Sequence, residues 1–298
     1  MTEFTEITTH SYKQQERHAW YRVNAFLSEL GGVESELQMQ PNDLVHIGGA
    51  AIFYHSYKAL GPLAVPNFRG THDLDIISFR RGSLQRALEQ LAGDPRSMLR
   101  DFEISSSHIP DKRTVHLRFK KNRGSNSLSA LDIDFFESHR DQVNLNDRRV
   151  SKNRIVLDPP EQLELPTFNP QRDRGLVGVP SLRDTFIIKM DIVDFSKLGL
   201  RSKDRIDVLT IFALCKALGH DYDYLLNAMS QVSSFRSTMA KLKELERLFS
   251  DNREETEIMG KTNPLLPSKE QIGEALRVTR DEIEIMRGDK PSSSSYQI

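Results

Sequence analysis

The stretch "RGTHDLDIIS", Arg69 to Ser78, decides how the first half of this chain is read. Apolar residues alternate with carboxylates through Asp73, Leu74, Asp75 and Ile76, the period-2 pattern of a strand with one buried face. Asp73 and Asp75 then project to one side, while Leu74 and Ile76 point to the core. Two like charges about 6–7 Å apart on a half-buried surface repel unless a positive charge lies between them. A divalent metal supplies that charge, and Mg²⁺ favours hard oxygen ligands, often one or two carboxylates with substrate phosphates. A second alternating stretch, "LDIDFF", places Asp132 and Asp134 in the same way. If the two strands are neighbours, three or four carboxylates converge, as in two-metal phosphoryl transfer.

Working outward, "DLVHIGG" reads as a buried strand entering a glycine turn at Gly48 and Gly49. A helix, "AAIFYHSYKAL", follows directly. Its N-terminal N–H groups and the side-chain-free turn allow close approach of a triphosphate. "SLQRALEQLAG" carries Leu84, Ala87, Leu88 and Leu91 on one helical face. "DFEISSSHIP", "RTVHLRFKK" and "LSALDIDFFES" read as three strands, and "VSKNRIVLDPPEQLEL" as extended. "FNPQRDRGLVGVPS" reads as loop. Residues 10–31 have helical spacing through Trp20, Val23, Phe26, Leu27 and Leu30.

The period changes after Ser181, a candidate N-cap. "SLRDTFIIKMDIVDFSKL" predicts one helix. "SKDRIDVLTIFALCKALG" predicts another, with Ile206, Leu209, Phe212, Ala213 and Leu218 as its stripe and Gly219 as its stop. "YLLNAMSQVSSFRSTMAKLKELERLFS" divides into two helices, and a last amphipathic helix covers roughly residues 268–287. The expected class is α+β: an αβ domain over 1–175 with an N-terminal helix, a helical domain over 176–288, and a Ser-rich disordered tail over 289–298.

With 298 residues, 38% of them hydrophobic, the chain can bury a sizeable core. A formal net charge of -1 does not steer the whole molecule to nucleic acid or membrane. The single cysteine, Cys215, excludes an internal disulfide framework and fits a reducing compartment; on an apolar helical face it reads as core. The first twenty residues lack the apolar segment of a signal peptide, and no run approaches a membrane span. The expectation is a cytoplasmic protein with no membrane partner.

The order of glycine turn, helix, Asp-x-Asp strand and later carboxylate resembles the DNA polymerase β-like nucleotidyltransferase superfamily. Within it, the chain is similar to the AbiEii/AbiGii-type nucleotidyltransferase toxins of bacterial and mycobacterial toxin–antitoxin systems. The residues that carry the resemblance are "GGAA" at 48–51, "RGTHDLD" with Arg69, Thr71, Asp73 and Asp75, Lys189 in "FIIKMD", and Asp204 and Asp207 in "KDRID". They span roughly residues 40–215.

The resemblance implies a polymerase β-like mixed sheet and transfer of a nucleoside monophosphate from an NTP, with pyrophosphate released. Known relatives modify the 3′ acceptor end of tRNA, and an antitoxin partner is implied. Asp73, Asp75, Lys189 and Asp207 are the implied catalytic residues. Gly48, Gly49, Ala50, Arg69, Thr71 and Lys189 are the implied nucleotide ligands. Asp73, Asp75, Asp132 and Asp134 are the candidate ligands of Mg²⁺ or Mn²⁺, with Asp132 the better match to the family's third carboxylate.

Each residue also has a plainer reading. Asp73 and Asp75 can be solvated strand-end carboxylates, and Asp132 and Asp134 a surface edge. Arg69 can brace the loop by pairing with either aspartate. Lys189 can be a surface lysine lying along an apolar helix face, with Lys197 or Lys203 as alternatives. Asp204 suits the first turn of a helix through the dipole. Tyr54, His55 and Tyr57 read as packing residues. The basic runs "DKRTVHLRFKKNR", "DRRVSKNR" and "KLGLRSKDR" suit an RNA backbone if they ring one cleft, with Lys120, Lys121 and Arg123 foremost. A small-molecule or protein hydroxyl is the alternative acceptor, and a non-catalytic binding module the alternative class.

Overall fold

The computed structural model of the protein describes residues 43–60, 73–79, 84–109, 112–119, 132–137, 159–165, 175–194, 199–250 and 269–286. The expected N-terminal helix, Arg69, Thr71, Lys120, Lys121, Arg123, Lys197 and the tail lie outside them. The chain divides into two compact units, Met1–Thr185 and Phe186–Ile298.

The first unit holds a seven-stranded mixed sheet. In chain order its elements are β1 (Leu44–Ile47), α1 (Gly48–Leu60), β2 (Asp73–Ser78), α2 (Leu84–Ala92), β3 (Phe102–Ile109), β4 (Lys112–Phe119), β5 (Asp132–Glu137), β6 (Glu161–Leu165) and β7 (Gly175–Val179). The strand order is β3-β4-β5-β2-β1-β7-β6. β2 runs parallel to β5, and β1 parallel to β7; the other neighbours are antiparallel.

Alternation explains the layering. Leu74 and Ile76 of β2, Ile133 and Phe135 of β5, and Val115 and Leu117 of β4 are all fully buried. Register places them on one face. Each contributes about 1.5–3 kcal/mol by leaving water. His46 of β1 shares this face through its pairing with Ile76 and meets Tyr54 of α1 edge-on at 5.7 Å, so α1 covers this side. As expected, Tyr54 and His55 pack inside, and His55 Nε2 lies 2.8 Å from the Pro180 carbonyl oxygen.

Two expectations about the first unit are corrected. The helix starts earlier than expected, at Gly48, so the turn out of β1 is confined to that residue. Gly48 has φ +66°, and a Cβ there would sit 2.8 Å from Asp75 Oδ2. Both the left-handed backbone and the close approach require glycine. The second correction is β7, where the sequence predicts loop. Its glycines and the following Pro180 look like punctuation, but the segment pairs with both β1 and β6.

The helix α3 (Leu182–Met190) spans the boundary between the units. Ser181 caps it as expected: the Asp184 N–H donates to Ser181 Oγ at 3.1 Å. The α-helix is shorter than expected, because Asp191–Asp194 tightens into a 3₁₀ turn. The second unit continues with α4 (Ser202–Ala217), α5 (Asp223–Val232), α6 (Phe235–Ser250) and α7 (Lys269–Met286). Gly219, at φ +83°, ends α4 with the His220 N–H donating back to the Cys215 carbonyl. Phe186 and Phe212 meet edge-on at 5.6 Å in this unit's core, and Phe249 packs on Phe212 at 5.1 Å.

The stripe expected on α4 is only partly its buried face. Leu209, Phe212 and Ala213 are buried, but Ile206 and Leu218 are half-buried. Asp204, Arg205 and Asp207 are buried in their place. Cys215 is core, as expected; burial pushes its thiol up to about 12, which leaves it inert as a thiolate.

Candidate active site

The strands that carry the two Asp-x-Asp sequences are neighbours and in register. Asp73 pairs with Asp132 and Asp75 with Asp134 across the parallel β2–β5 ladder. All four therefore rise from the face opposite Leu74, Ile76, Ile133 and Phe135. Asp73 and Asp132 are exposed, while Asp75 and Asp134 are half-buried. Asp75 also stands at the N-terminus of α1, against Gly48, where a carboxylate is favoured by the helix dipole.

A cation stands on this face, and it comes from the chain. Arg118 of β4 places Nη1 2.7 Å from Asp134 Oδ1 and Nε 3.6 Å from Asp132 Oδ1. Burial works against its charge. The hydrogen bond to Asp134 and the charges of Asp134, Asp132 and Asp75 outweigh that and raise Arg118 above its ordinary value. His116, directly opposite Asp134 on β4, places Nδ1 2.8 Å from Asp134 Oδ1. Its Nε2 lies 2.8 Å from Ser107 Oγ on β3. Sequence reading passed over both residues as part of a basic run. Their signal was the alternation Thr114, His116, Arg118, which puts three polar side chains on one face of β4.

The donor type of the four aspartates, all hard oxygens, suits Mg²⁺ or Mn²⁺. Asp134 is the member of the row tied by 2.7–2.8 Å bonds to Arg118 and His116, and Arg118 also reaches Asp132 at 3.6 Å. Among the described residues, no group of three or more His, Cys, Asp or Glu side chains closes to the spacing of a preformed metal site.

The other implied residues are placed as follows. Gly48 is at the carboxylate face. Gly49 and Ala50 are buried in the first turn of α1, so Ala50 offers a ligand no side chain. In the second unit, Lys189 is buried, with its ammonium 3.1 Å from Asp204 Oδ1 and 2.7 Å from Asp207 Oδ2. Arg201 also bonds Asp204. Burial pushes the Asp204 carboxyl up, but the Arg201 and Lys189 bonds and charges prevail and hold it below the usual carboxylate range. Lys189 is thus not the surface lysine of the plainer reading. It anchors α3 to α4 through two carboxylates that would be costly to bury alone.

No family model matches the chain, and no curated protein sequence matches it. Among solved structures it is similar to the Megavirus polyadenylate synthase, at 10% identity and a TM-score of 0.30, over 90% of this chain and 44% of that one. The chain thus spans less than half of that relative's length, and so distant a likeness assigns it neither a family nor an activity. Among the described residues no helix is long and apolar enough to cross a membrane.

Proposed function

We propose that the protein is a metal-dependent nucleotidyltransferase of the polymerase β-like kind. It moves a nucleoside monophosphate from an NTP to an acceptor and releases pyrophosphate. The observation that carries this reading is the in-register pairing of Asp73 with Asp132 and of Asp75 with Asp134 on one sheet face, beside the Gly48 start of α1. Asp73, Asp75 and Asp132 would hold Mg²⁺ or Mn²⁺. The bound ion would offset the charge of the triphosphate and of the departing pyrophosphate. Gly48 lets the Asp75 carboxylate come close to the N-terminus of α1, beside the place proposed for the metal. Arg118 holds Asp134 in place and offsets part of the charge of the row. Arg69 and Thr71, just ahead of β2, join the nucleotide site in this reading.

The acceptor is the 3′ end of tRNA and the protein a toxin countered by an antitoxin, a reading supported by the sequence resemblance alone. Lys189 and Asp207 contribute by holding α3 to α4. The test is incubation with each α-labelled NTP, Mg²⁺ and total RNA, followed by separation of RNA, protein and small molecules. Label on RNA supports the reading, and label elsewhere reassigns the acceptor.

Arg118 also favours a second reading. A carboxylate row partly offset by its own guanidinium can persist without a metal, as in a binding module that keeps the fold without the chemistry. Measured Mg²⁺ or Mn²⁺ binding that disappears in Asp75→Asn excludes that reading.

A further inference from the structure

Arg118 lies in the carboxylate row in the manner of a bound cation. It stands opposite Asp132 across the β4–β5 ladder, and its guanidinium reaches along the face to Asp134. Nη1 lies 2.7 Å from Asp134 Oδ1, 3.2 Å from the Leu117 carbonyl oxygen and 3.3 Å from that of Ile133. Nε lies 3.6 Å from Asp132 Oδ1, and Nη2 lies 3.3 Å from His116 Nδ1. Oxygens predominate among these contacts, and oxygen is the donor that a hard divalent ion takes. A guanidinium and a metal ion cannot share the same carboxylate oxygens, and at a few ångströms they repel. The Arg118 side chain is 38% exposed, so it has a way out into water, and leaving the row restores its rotamer freedom.

We propose that Arg118 is a displaceable stand-in for a divalent ion: it occupies the β5 side of the row in the free protein and moves out when metal binds. The inference rests on the nucleotidyltransferase reading and deepens it, by naming the residue that controls metal loading. In the free protein, an incoming ion meets the Arg118 charge, which acts on Asp134, Asp132 and Asp75 together. It also finds Asp134 Oδ1 already engaged. Arg118 therefore keeps divalent-ion affinity low while the site is empty of nucleotide. A nucleoside triphosphate brings the negative charge that lets a metal ion and a guanidinium stand close together. Metal loading is thereby tied to the arrival of the substrate. Arg118 is a positioning residue in this account, since it acts through the carboxylates and not on the reacting atoms.

The test is calorimetric titration of Mn²⁺ into the whole chain without NTP, for wild type and for Arg118→Gln, which removes the charge and keeps a hydrogen-bond donor. The variant should bind Mn²⁺ about tenfold more tightly or better, the scale of a unit charge lifted from a few ångströms away at a protein surface. The gain should vanish in Arg118→Gln combined with Asp75→Asn. Equal or weaker binding by folded Arg118→Gln overturns the proposal and leaves the nucleotidyltransferase reading intact, because the wild type still binds metal. A gain that survives the Asp75→Asn change puts the ion elsewhere and also overturns it. Absence of binding in both wild type and Arg118→Gln overturns the proposal and the reading together. If Arg118→Gln does not fold, modification of wild-type arginines by phenylglyoxal, mapped by mass spectrometry, decides. Mg²⁺ should speed modification of Arg118 and leave the exposed Arg96 and Arg236 unchanged. An Arg118 rate that Mg²⁺ does not raise overturns the displacement.

Discussion

Asp75 and Asp134 stand opposite each other on the parallel strands β2 and β5, and the charge of Arg118 acts on both. Asp75 sits against Gly48 at the start of α1, whereas Asp134 is bonded by Arg118 and His116. Two carboxylates that look equivalent in sequence are therefore separated by what the neighbouring elements bring to them.

That separation predicts unequal losses on β5. Asp132→Asn should abolish most transfer. Asp134→Asn should leave more of it and cost roughly 1 kcal/mol of stability, the scale of a partly exposed ion pair. Steady-state transfer rates and denaturant melts of both variants provide the check. A larger loss of activity in Asp134→Asn would make Asp134 the third ligand.

Gly48→Ala should lower both stability and activity. Left-handed backbone costs a non-glycine residue about 1–2 kcal/mol, and the new methyl group would meet Asp75 Oδ2 at 2.8 Å. A thermal melt that matches the wild type would mean that α1 starts elsewhere.

Lys189→Ala should destabilise the second unit by up to about 3–5 kcal/mol, because Asp204 and Asp207 would stay buried with the Lys189 ammonium gone and Arg201 still on Asp204. Lys189→Met, which keeps the volume but not the charge, should be nearly as damaging. Wild-type denaturation midpoints for both variants would show that the cluster anchors nothing.

His46 sets a pH dependence. Burial lowers its folded pKa to about 3, against 6.5 when exposed. Between those values the unfolded chain binds a proton that the folded chain refuses, so stability rises with pH. His46 thus makes its full contribution above about pH 6.5. On acidification the protein should lose up to about 1.4 kcal/mol per pH unit at this site until roughly pH 3. Urea melts of wild type and His46→Phe between pH 7 and pH 4 measure it, and parallel pH slopes would rule this source out.

The legible parts of the fold were those with a strong local period. Asp73–Ser78 and Asp132–Glu137 announced themselves by alternation, and α5, α6 and α7 by their apolar stripes. β7 was illegible because Gly175, Gly178 and Pro180 carry loop chemistry, and only pairing with distant β1 and β6 makes the segment a strand. Arg118 was hidden differently. The carboxylate row called for a positive charge, and nothing local says that β4 would place a guanidinium beside it. Asp204 and Asp207 were hidden in the same way, since a buried carboxylate makes sense only once Lys189 of another helix stands against it.

The most direct test of the central claim is transfer of label from α-labelled NTPs to total RNA by wild type and by Asp75→Asn, with circular dichroism confirming that both are folded. The account predicts Mg²⁺-dependent labelling by the wild type and none by Asp75→Asn. Equal labelling by the two proteins would contradict the account, as would a folded wild type that transfers nothing from any of the four NTPs.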